Sequence, residues 1–345
     1  MKQIITFFTL IFSLEFAAKN LVPESYWDIQ NISNPRVSPS GDDILFSKRY
    51  IDKVNDSFVT ETWVMNSKGE NKRYFTDGSN AKWSPDGTKV AFIKSDKNEN
   101  SQIFIKYLAS EAETQVTNFD QDISDFAWSK DGKHFVFASF NEYDDDWQVE
   151  IPGEKEGESY NWTEKPKVVT TMHWRADGQG ELESGEDHLY LVSSDGGSAA
   201  KISDWGMDYQ GSLSWYDEST VLFQGNGSLN DLQTPWKQSS VFLLDINSKR
   251  LEKISPDNGV FTAPKSSENG KIVFLGHPST DYSSDAFDVY LSDGRSQARS
   301  LTSNLSATPR ELFWLNENEV AFSIDDRGAS KALKLNVSTK KISEV

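Results

Sequence analysis

The sequence predicts an all-β fold, a β-propeller of about six detected four-stranded blades or a seven-bladed ring cut short. Three observations predict it. A turn phrase built on Ser-Pro-Asp-Gly recurs along the chain, each copy is followed by short apolar alternations, and no window past residue 30 sustains a helical period.

The first copy is Asn34-Pro35-Arg36-Val37-Ser38-Pro39-Ser40-Gly41, followed by Ile44-Leu45-Phe46. The phrase returns as Lys82-Trp83-Ser84-Pro85-Asp86-Gly87 before Val90-Ala91-Phe92, and as Ala127-Trp128-Ser129-Lys130-Asp131-Gly132 before Phe135-Val136-Phe137. Weaker copies are Ser214-Trp215-Tyr216-Asp217, Ala263-Pro264-Lys265 through Gly270, and Phe313-Trp314-Leu315-Asn316. Proline presets φ, aspartate closes the turn through its side chain, and glycine takes the positive φ, so each phrase reads as strand, tight turn, strand. A third strand follows most copies, for example Gln102-Ile103-Phe104-Ile105 and His188-Leu189-Tyr190-Leu191. A fourth ends in Thr or Ser, as in Arg73-Tyr74-Phe75-Thr76 and Lys201-Ile202-Ser203. Four short strands in 40–50 residues is the period of a propeller blade. A β-sandwich would not repeat one turn phrase at that cadence. The recurring aromatic residues are expected between blades, as core.

Composition narrows the function classes. The chain of 345 residues has 53 Asp and Glu against 35 Lys and Arg, a net charge of −18, and no cysteine. Such a surface repels phosphate backbones, and no basic stripe offsets it, so nucleic acid is not an expected partner. Without cysteine there is no disulfide, thiolate metal site or cysteine nucleophile. No phosphate-binding loop, dinucleotide fingerprint or His-Glu-x-x-His is present, and no cofactor or metal is expected.

Residues 1–18 read as a signal peptide. Lys2 precedes an apolar run, Ile4 to Leu14, and Ala17-Ala18 offers small residues for cleavage. The expectation is export to the periplasm or the extracellular space, with no membrane association after cleavage. Residues 19–345 form the expected propeller. One interval, Trp128 to Trp215, is nearly double the others and holds an insertion at about residues 140–187. Within it Glu142, Asp144, Asp145 and Asp146 are the candidate substrate-binding residues, since carboxylates pair with the ammonium group of a substrate. A solvated charge run is the simpler explanation of the same residues, and their spacing is not that of a calcium loop.

The turn phrase is shared by TolB-like propellers and by the N-terminal propellers of prolyl-oligopeptidase-family serine peptidases. Pro166-Lys167-Val168-Val169-Thr170 through Trp174-Arg175-Ala176-Asp177-Gly178-Gln179-Gly180 resembles the acylaminoacyl-peptidase branch, as does Trp27-Asp28-Ile29 with the phrase that follows it. The resemblance implies a propeller that limits access to an α/β-hydrolase domain, a Ser-Asp-His triad on that domain, and cleavage of short peptides.

The catalytic half is not expected in this chain. A nucleophile elbow needs Gly-x-Ser-x-Gly on a strand-to-helix turn, and none occurs. Gly294-Arg295-Ser296-Gln297-Ala298 is the nearest miss, while Ser212 and Ser214 lie within a blade. The four histidines, His134, His173, His188 and His277, show no spacing that suggests a triad. No catalytic residue is assigned. Two functions stand: the access and packing part of an exported serine oligopeptidase or aminopeptidase, whose partner is a missing hydrolase domain, and a free-standing TolB-like propeller that scaffolds proteins.

Overall fold

The computed structural model describes residues 22–143, 169, 174–204, 206–227, 238–278, 285–294 and 298–345. A 3-10 turn, Pro23–Asp28, leads into six four-stranded antiparallel sheets set as blades around a channel. Blade 1 is β1 (Asn31–Val37), β2 (Asp43–Asp52), β3 (Ser57–Asn66) and β4 (Arg73–Thr76). Blade 2 is β5 (Ser79–Trp83), β6 (Lys89–Ser95), β7 (Ser101–Tyr107) and β8 (Glu113–Gln115). Blade 3 begins with β9 (Ile123–Trp128) and β10 (His134–Glu142). After a two-stranded hairpin, β11 (Arg175–Ala176) with β12 (Gly180–Glu181), it finishes with β13 (Gly185–Ser193) and β14 (Ala200–Lys201). The insertion therefore separates the second and third strands of one blade. Blade 4 is β15 (Met207–Trp215), β16 (Thr220–Gly227), β17 (Ser240–Asp245) and β18 (Leu251–Lys253). Blade 5 is β19 (Val260–Ser266), β20 (Ile272–His277), β21 (Asp288–Ser292) and β22 (Arg299–Ser300). Blade 6 is β23 (Arg310–Asn316), β24 (Glu319–Asp326), β25 (Ala329–Asn336) and β26 (Ile342–Glu344).

The turn phrase does two jobs. Within a blade, Ser84 N–H donates to the Lys89 carbonyl and Gly87 N–H to the Ser84 carbonyl, both at 2.9 Å, while Ser84 Oγ donates to Asp86 Oδ1 at 2.6 Å. Between blades, a Cβ on Gly87 (φ +69°) would lie 3.5 Å from Pro39, and one on Gly132 (φ +70°) 3.6 Å from Pro85. Each proline thus packs on the glycine of the next turn.

The recurring tryptophan carries the blade-to-blade register. Its indole N–H donates to a backbone carbonyl of the preceding blade: Trp83 to Arg36 at 2.9 Å, Trp128 to Lys82 at 3.2 Å, Trp215 to Ala127 at 3.3 Å and Trp314 to Lys265 at 2.9 Å. In each case the acceptor lies one residue before the aligned Trp position. Ser266 holds that position in blade 5 and has no indole to donate.

The innermost strands share a second feature, a bulge three residues before the Trp position. Asn34, Asn80, Ser212, Ala263 and Glu311 all adopt φ between +51° and +59°, at or beside a break in strand register. In β9 the break falls at Ser124, and the aligned residue is Asp125. Bulges bend and twist the strand that carries them, so they re-aim these residues at the lumen end of each blade.

Five buried apolar clusters join successive blades, one at each interface from blades 1 and 2 to blades 5 and 6. Among the described residues none joins blade 6 to blade 1. Every residue of β1 is exposed, and Phe313 and Leu315 of β23 are 55% and 51% exposed. Strand alternation explains this. On one face β24 and β25 place Val320, Phe322, Ile324, Leu333 and Leu335 against blade 5, and on the other Ala321, Ser323, Asp325, Ala332 and Lys334. A terminal repeat with a polar outer face is what an unpaired end requires. Blade 1 meets the same seam with aromatic residues dressed in charge. Lys48 Nζ sits 4.6 Å from the Trp63 ring, and Glu61 accepts from the Trp63 indole at 2.8 Å and the Tyr50 hydroxyl at 2.9 Å.

Trp128 is buried at an interface with packing and a hydrogen bond to lose. Its replacement by Ala should cost about 3–5 kcal/mol, and by Phe, which keeps one ring but loses the indole N–H and the rest of the indole volume, clearly less. Denaturant midpoints of the two variants check the order, and equal losses would show that ring packing at this interface contributes nothing and contradict the assignment.

Candidate functional site

A polar pocket of about 620 Å³ opens at the lumen end of blades 2, 3 and 4, lined by Asn80, Ser124, Asp125, Asp187, Asp208, Tyr209, Gln210 and Gly211. The inner strands deliver most of these groups, and the start of β13 brings Asp187. Glu142 and Gly185, the strand ends that carry the insertion, are paired at the same end of blade 3.

Asp125 is the hub. Its Oδ1 accepts from Lys82 Nζ and Asn80 Nδ2, both at 2.8 Å, and Oδ2 accepts from the Tyr209 hydroxyl at 2.6 Å. Lys82 also donates to the Phe126 carbonyl and lies over the Phe126 ring at 4.8 Å. Burial works against the Asp125 carboxylate, but the Lys82 charge and the three donors outweigh it and hold its pKa below the usual range. Burial lowers the Lys82 pKa, partly offset by Asp125. Burial raises the Tyr209 pKa, and the neighbouring Asp125 charge raises it further. This hub ties blades 2, 3 and 4 together through charge.

Asp187 and Asp208 behave in the opposite way. Asp208 Oδ1 accepts from the Asp187 backbone N–H at 2.9 Å, which brings the two residues together. Burial, reinforced by the Asp187 and Glu186 charges, pushes the Asp208 pKa up to about 6. Burial also raises that of Asp187. One wall of the pocket therefore gains negative charge as pH rises through the mildly acidic range.

Below the pocket, three side chains imitate a triad. His188 Nδ1 is 3.2 Å from Ser203 Oγ, and His188 Nε2 is 3.8 Å from Glu186 Oε2. The geometry is structural. Ser203 Oγ already accepts from Leu189 N–H at 2.9 Å, the bond that Thr117, Ser255 and Thr302 make in blades 2, 4 and 5. Glu186 is spent on the Tyr143 hydroxyl at 2.6 Å and Gly206 N–H at 2.9 Å. Burial pushes the His188 pKa down to about 4, and none of the three residues is more than 2% exposed. A nucleophile closed to solvent cannot meet a substrate. Ser212 sits at the β15 bulge and Ser214 donates to the Leu222 carbonyl at 3.4 Å, neither near a histidine partner.

Of the predicted substrate-binding residues, Glu142 is exposed at the end of β10, and Asp144, Asp145 and Asp146 lie outside the described residues, as does His173. The residues that line the pocket were not singled out from the sequence. Their signal was present: the position three before the aligned Trp position, which is Val37 in the first repeat, is Asn34, Asn80, Asp125, Ser212 and Glu311 in five of the six repeats, polar on an innermost strand. Among the described residues no group of three His, Asp or Glu side chains is arranged to hold a metal ion.

No protein-family model matches the chain. A Bacillus subtilis protein described as the uncharacterized peptidase YuxL is 23% identical over 221 residues, 63% of this chain and 32% of its own length. Dipeptidyl-peptidase 5 of Porphyromonas endodontalis is 22% identical over 162 residues, 45% of this chain and 22% of its own. The matches thus span a third or less of these relatives. Among solved structures, acylaminoacyl peptidase of Pyrococcus horikoshii superposes with a TM-score of 0.69 at 14% identity, covering 93% of this chain and 46% of that one. The likeness establishes the β-propeller fold. The propeller domain of the Trilobed protease of Pyrococcus furiosus, described as having an open velcro topology, matches with a TM-score of 0.61 at 14% identity over 92% of this chain. An oligogalacturonate lyase matches about as well, with a TM-score of 0.62 at 14% identity over 92% of this chain and 78% of its own.

The pocket makes stability depend on pH with a determinate sign. Asp208 binds its proton more tightly folded than unfolded, so its contribution is greatest below the unfolded pKa, about 3.9, and is lost as pH rises through about 6. Asp125 has the reverse sign: its contribution is present above about 3.9 and is lost as pH falls below that value. Asp208→Asn keeps an oxygen for Asp187 N–H. It should flatten the decline between pH 4 and 6 and raise the unfolding midpoint at pH 7. Identical pH profiles for the variant and the parent would contradict the assignment.

Proposed function

We propose that this chain is the substrate-access and domain-packing part of an exported serine oligopeptidase or aminopeptidase, whose hydrolysis is carried out by an α/β-hydrolase domain. The observation that carries the reading is the superposition on two-domain peptidases. Nearly all of this chain matches, and it accounts for about half of the acylaminoacyl peptidase chain. The relatives matched by sequence are likewise described as peptidases. The site chemistry is compatible with the division of labour, because the blades supply a polar channel and a buried, structural Ser203–His188–Glu186 line. An ordinary serine hydroxyl is a weak nucleophile until an accessible base takes its proton.

In this reading the channel admits short, extended peptides and excludes folded proteins. Glu142 ends its strand on the side of blade 3 where Asp187 lines the pocket, and Glu142, Asp144, Asp145 and Asp146 are the candidate partners for a substrate's ammonium group. The hydrophobic run from Ile4 to Leu14 directs export to the periplasm or beyond.

The purified chain should leave aminoacyl and dipeptidyl chromogenic substrates intact and take up no fluorophosphonate label. Joined to the hydrolase domain encoded in the same frame or the adjoining gene, it should hydrolyse short peptides and spare folded proteins. Stoichiometric labelling of one serine in the chain alone, abolished by a histidine substitution, would overturn the reading. If no hydrolase is encoded alongside it, the free-standing scaffold is left.

A further inference from the structure

Every blade carries a phenylalanine at one position of its second strand: Phe46, Phe92, Phe137, Phe223, Phe274 and Phe322. In blades 2 to 6 this ring is buried in the cluster shared with the preceding blade. A second large side chain stands opposite it on the third strand, as Tyr190 does in blade 3 and Tyr290 in blade 5. The preceding blade answers with aliphatic groups: Ile103 and Ile105 of blade 2 for Phe137, Val273 and Val289 of blade 5 for Phe322. Each interface thus joins an aliphatic face to an aromatic one.

Blade 1 has the aromatic face and no blade before it. On the side turned away from blade 2, Phe46 pairs with Trp63 and Ile44 with Met65, and Val37 and Tyr74 continue the face to either side. Phe46 is itself buried, but Val37 is 60% and Tyr74 49% exposed. Trp128 and Trp215, which hold the position of Val37 in blades 3 and 4, are buried. The row of turns is open at the same place. The turn glycines of blades 2, 3 and 5 stand against Pro39, Pro85 and Tyr216 of the preceding blade, whereas a Cβ on Gly41 would meet nothing within 4 Å.

Blade 6 does not supply the missing half. Where blade 5 offers Val273, Leu275 and Val289, blade 6 carries Ala321, Ser323 and Ala332, with Lys334 beside them. Setting a hydroxyl and an ammonium against Phe46 and Trp63 would desolvate both without a partner. The same polar face argues against a second copy, because among the described residues it is the one such face the chain leaves uncovered.

We propose that this face of blade 1 is a docking surface for a further four-stranded β-blade. The partner presents aliphatic side chains where blade 5 presents Val273 and Val289, and sets a turn proline over Gly41. Continuity with the five existing interfaces selects this occupant: blade 1 holds the aromatic half of a sixth. A contiguous apolar face left in water is the mark of such a contact. The surface does not rest on the peptidase reading, and its failure would leave that reading standing.

The chain has no cysteine, so Val37→Cys places a single thiol on the face. Lys68→Cys, on an exposed turn of the same blade, is the control. The probe is a copy of blade 2, residues 79–117, joined ahead of Val22 so that residues 22–30 lead from it into β1. Reaction with dithionitrobenzoate should slow about tenfold or more for the Val37→Cys thiol, since it then waits on local opening, and stay unchanged for Lys68→Cys. The same copy bearing Ile103→Asp and Ile105→Asp should give no protection. A copy of blade 1, residues 31–76, serves as a second probe, and slowing by either copy upholds the surface. Unchanged rates with both copies overturn it, as does equal slowing by the aspartate-bearing copy. A parent chain that is dimeric by light scattering, and monomeric after Val37→Asp, would put a second copy on this face and overturn the assignment of a blade.

Discussion

A four-stranded blade has two apolar faces and can bury neither alone, and the rest of the molecule follows from that constraint. Burial is supplied by the neighbour. Each of the five interfaces carries its own apolar cluster. At four of them an indole N–H reaches back to the preceding blade, absent only where Ser266 replaces Trp. A tryptophan suits this position because it fills the interface with a ring and satisfies its one donor on a carbonyl that would otherwise face the gap. The prolines and glycines of successive turns add a second row of contacts along one edge. Stability is therefore passed from blade to blade, as in other repeat proteins. Among the described residues it stops at the seam between blades 6 and 1.

The same register places the chemistry. Because the bulges recur at one position on the inner strands, they present a row of residues to the lumen, and the sequence varies that row freely without disturbing the interfaces behind it. Blades 2 and 3 use it for a carboxylate hub, beside which Asp187 and Asp208 form a second, protonatable wall; two residues on, blades 1, 2 and 5 carry Arg36, Lys82 and Lys265. Asp125 and Asp208 illustrate how environment divides identical side chains. One is surrounded by donors and stays charged, while the other is buried beside further acids and gives up its charge first.

Much of the fold was legible in the sequence because its signals are local. Ser84-Pro85-Asp86-Gly87 specifies a turn within four residues, and Val90-Ala91-Phe92 with Ile103-Phe104-Ile105 reads as paired strands buried on both faces. The polar face of β24 and β25 at the seam was equally visible in Ser323, Asp325 and Lys334. The pocket was not legible. Asn80, Asp125, Asp187 and Asp208 are separated by up to 128 residues and meet only because the repeat closes an arc. No spacing along the chain reports that arc until the repeats are aligned on the recurring aromatic. The triad-like line of Ser203, His188 and Glu186 shows the converse: proximity found in space carries no catalysis when the hydroxyl is committed to a backbone amide and the imidazole is sealed from water.

The account centres on burial supplied by neighbours and missing at one seam, and hydrogen exchange reads this residue by residue. The inner strands β1, β9 and β15 occupy the same place in their blades and make the same ladder bonds, but β1 is wholly exposed whereas β9 and β15 contribute Phe126, Trp128, Tyr209 and Trp215 to buried clusters. Local opening governs exchange where burial is thin. The amides of β1 should exchange well before those of β9 and β15, with β23 falling between. Protection of β1 equal to that of β9 would contradict the account, because it would require a partner for blade 1 that the described residues of blades 1 to 6 do not provide.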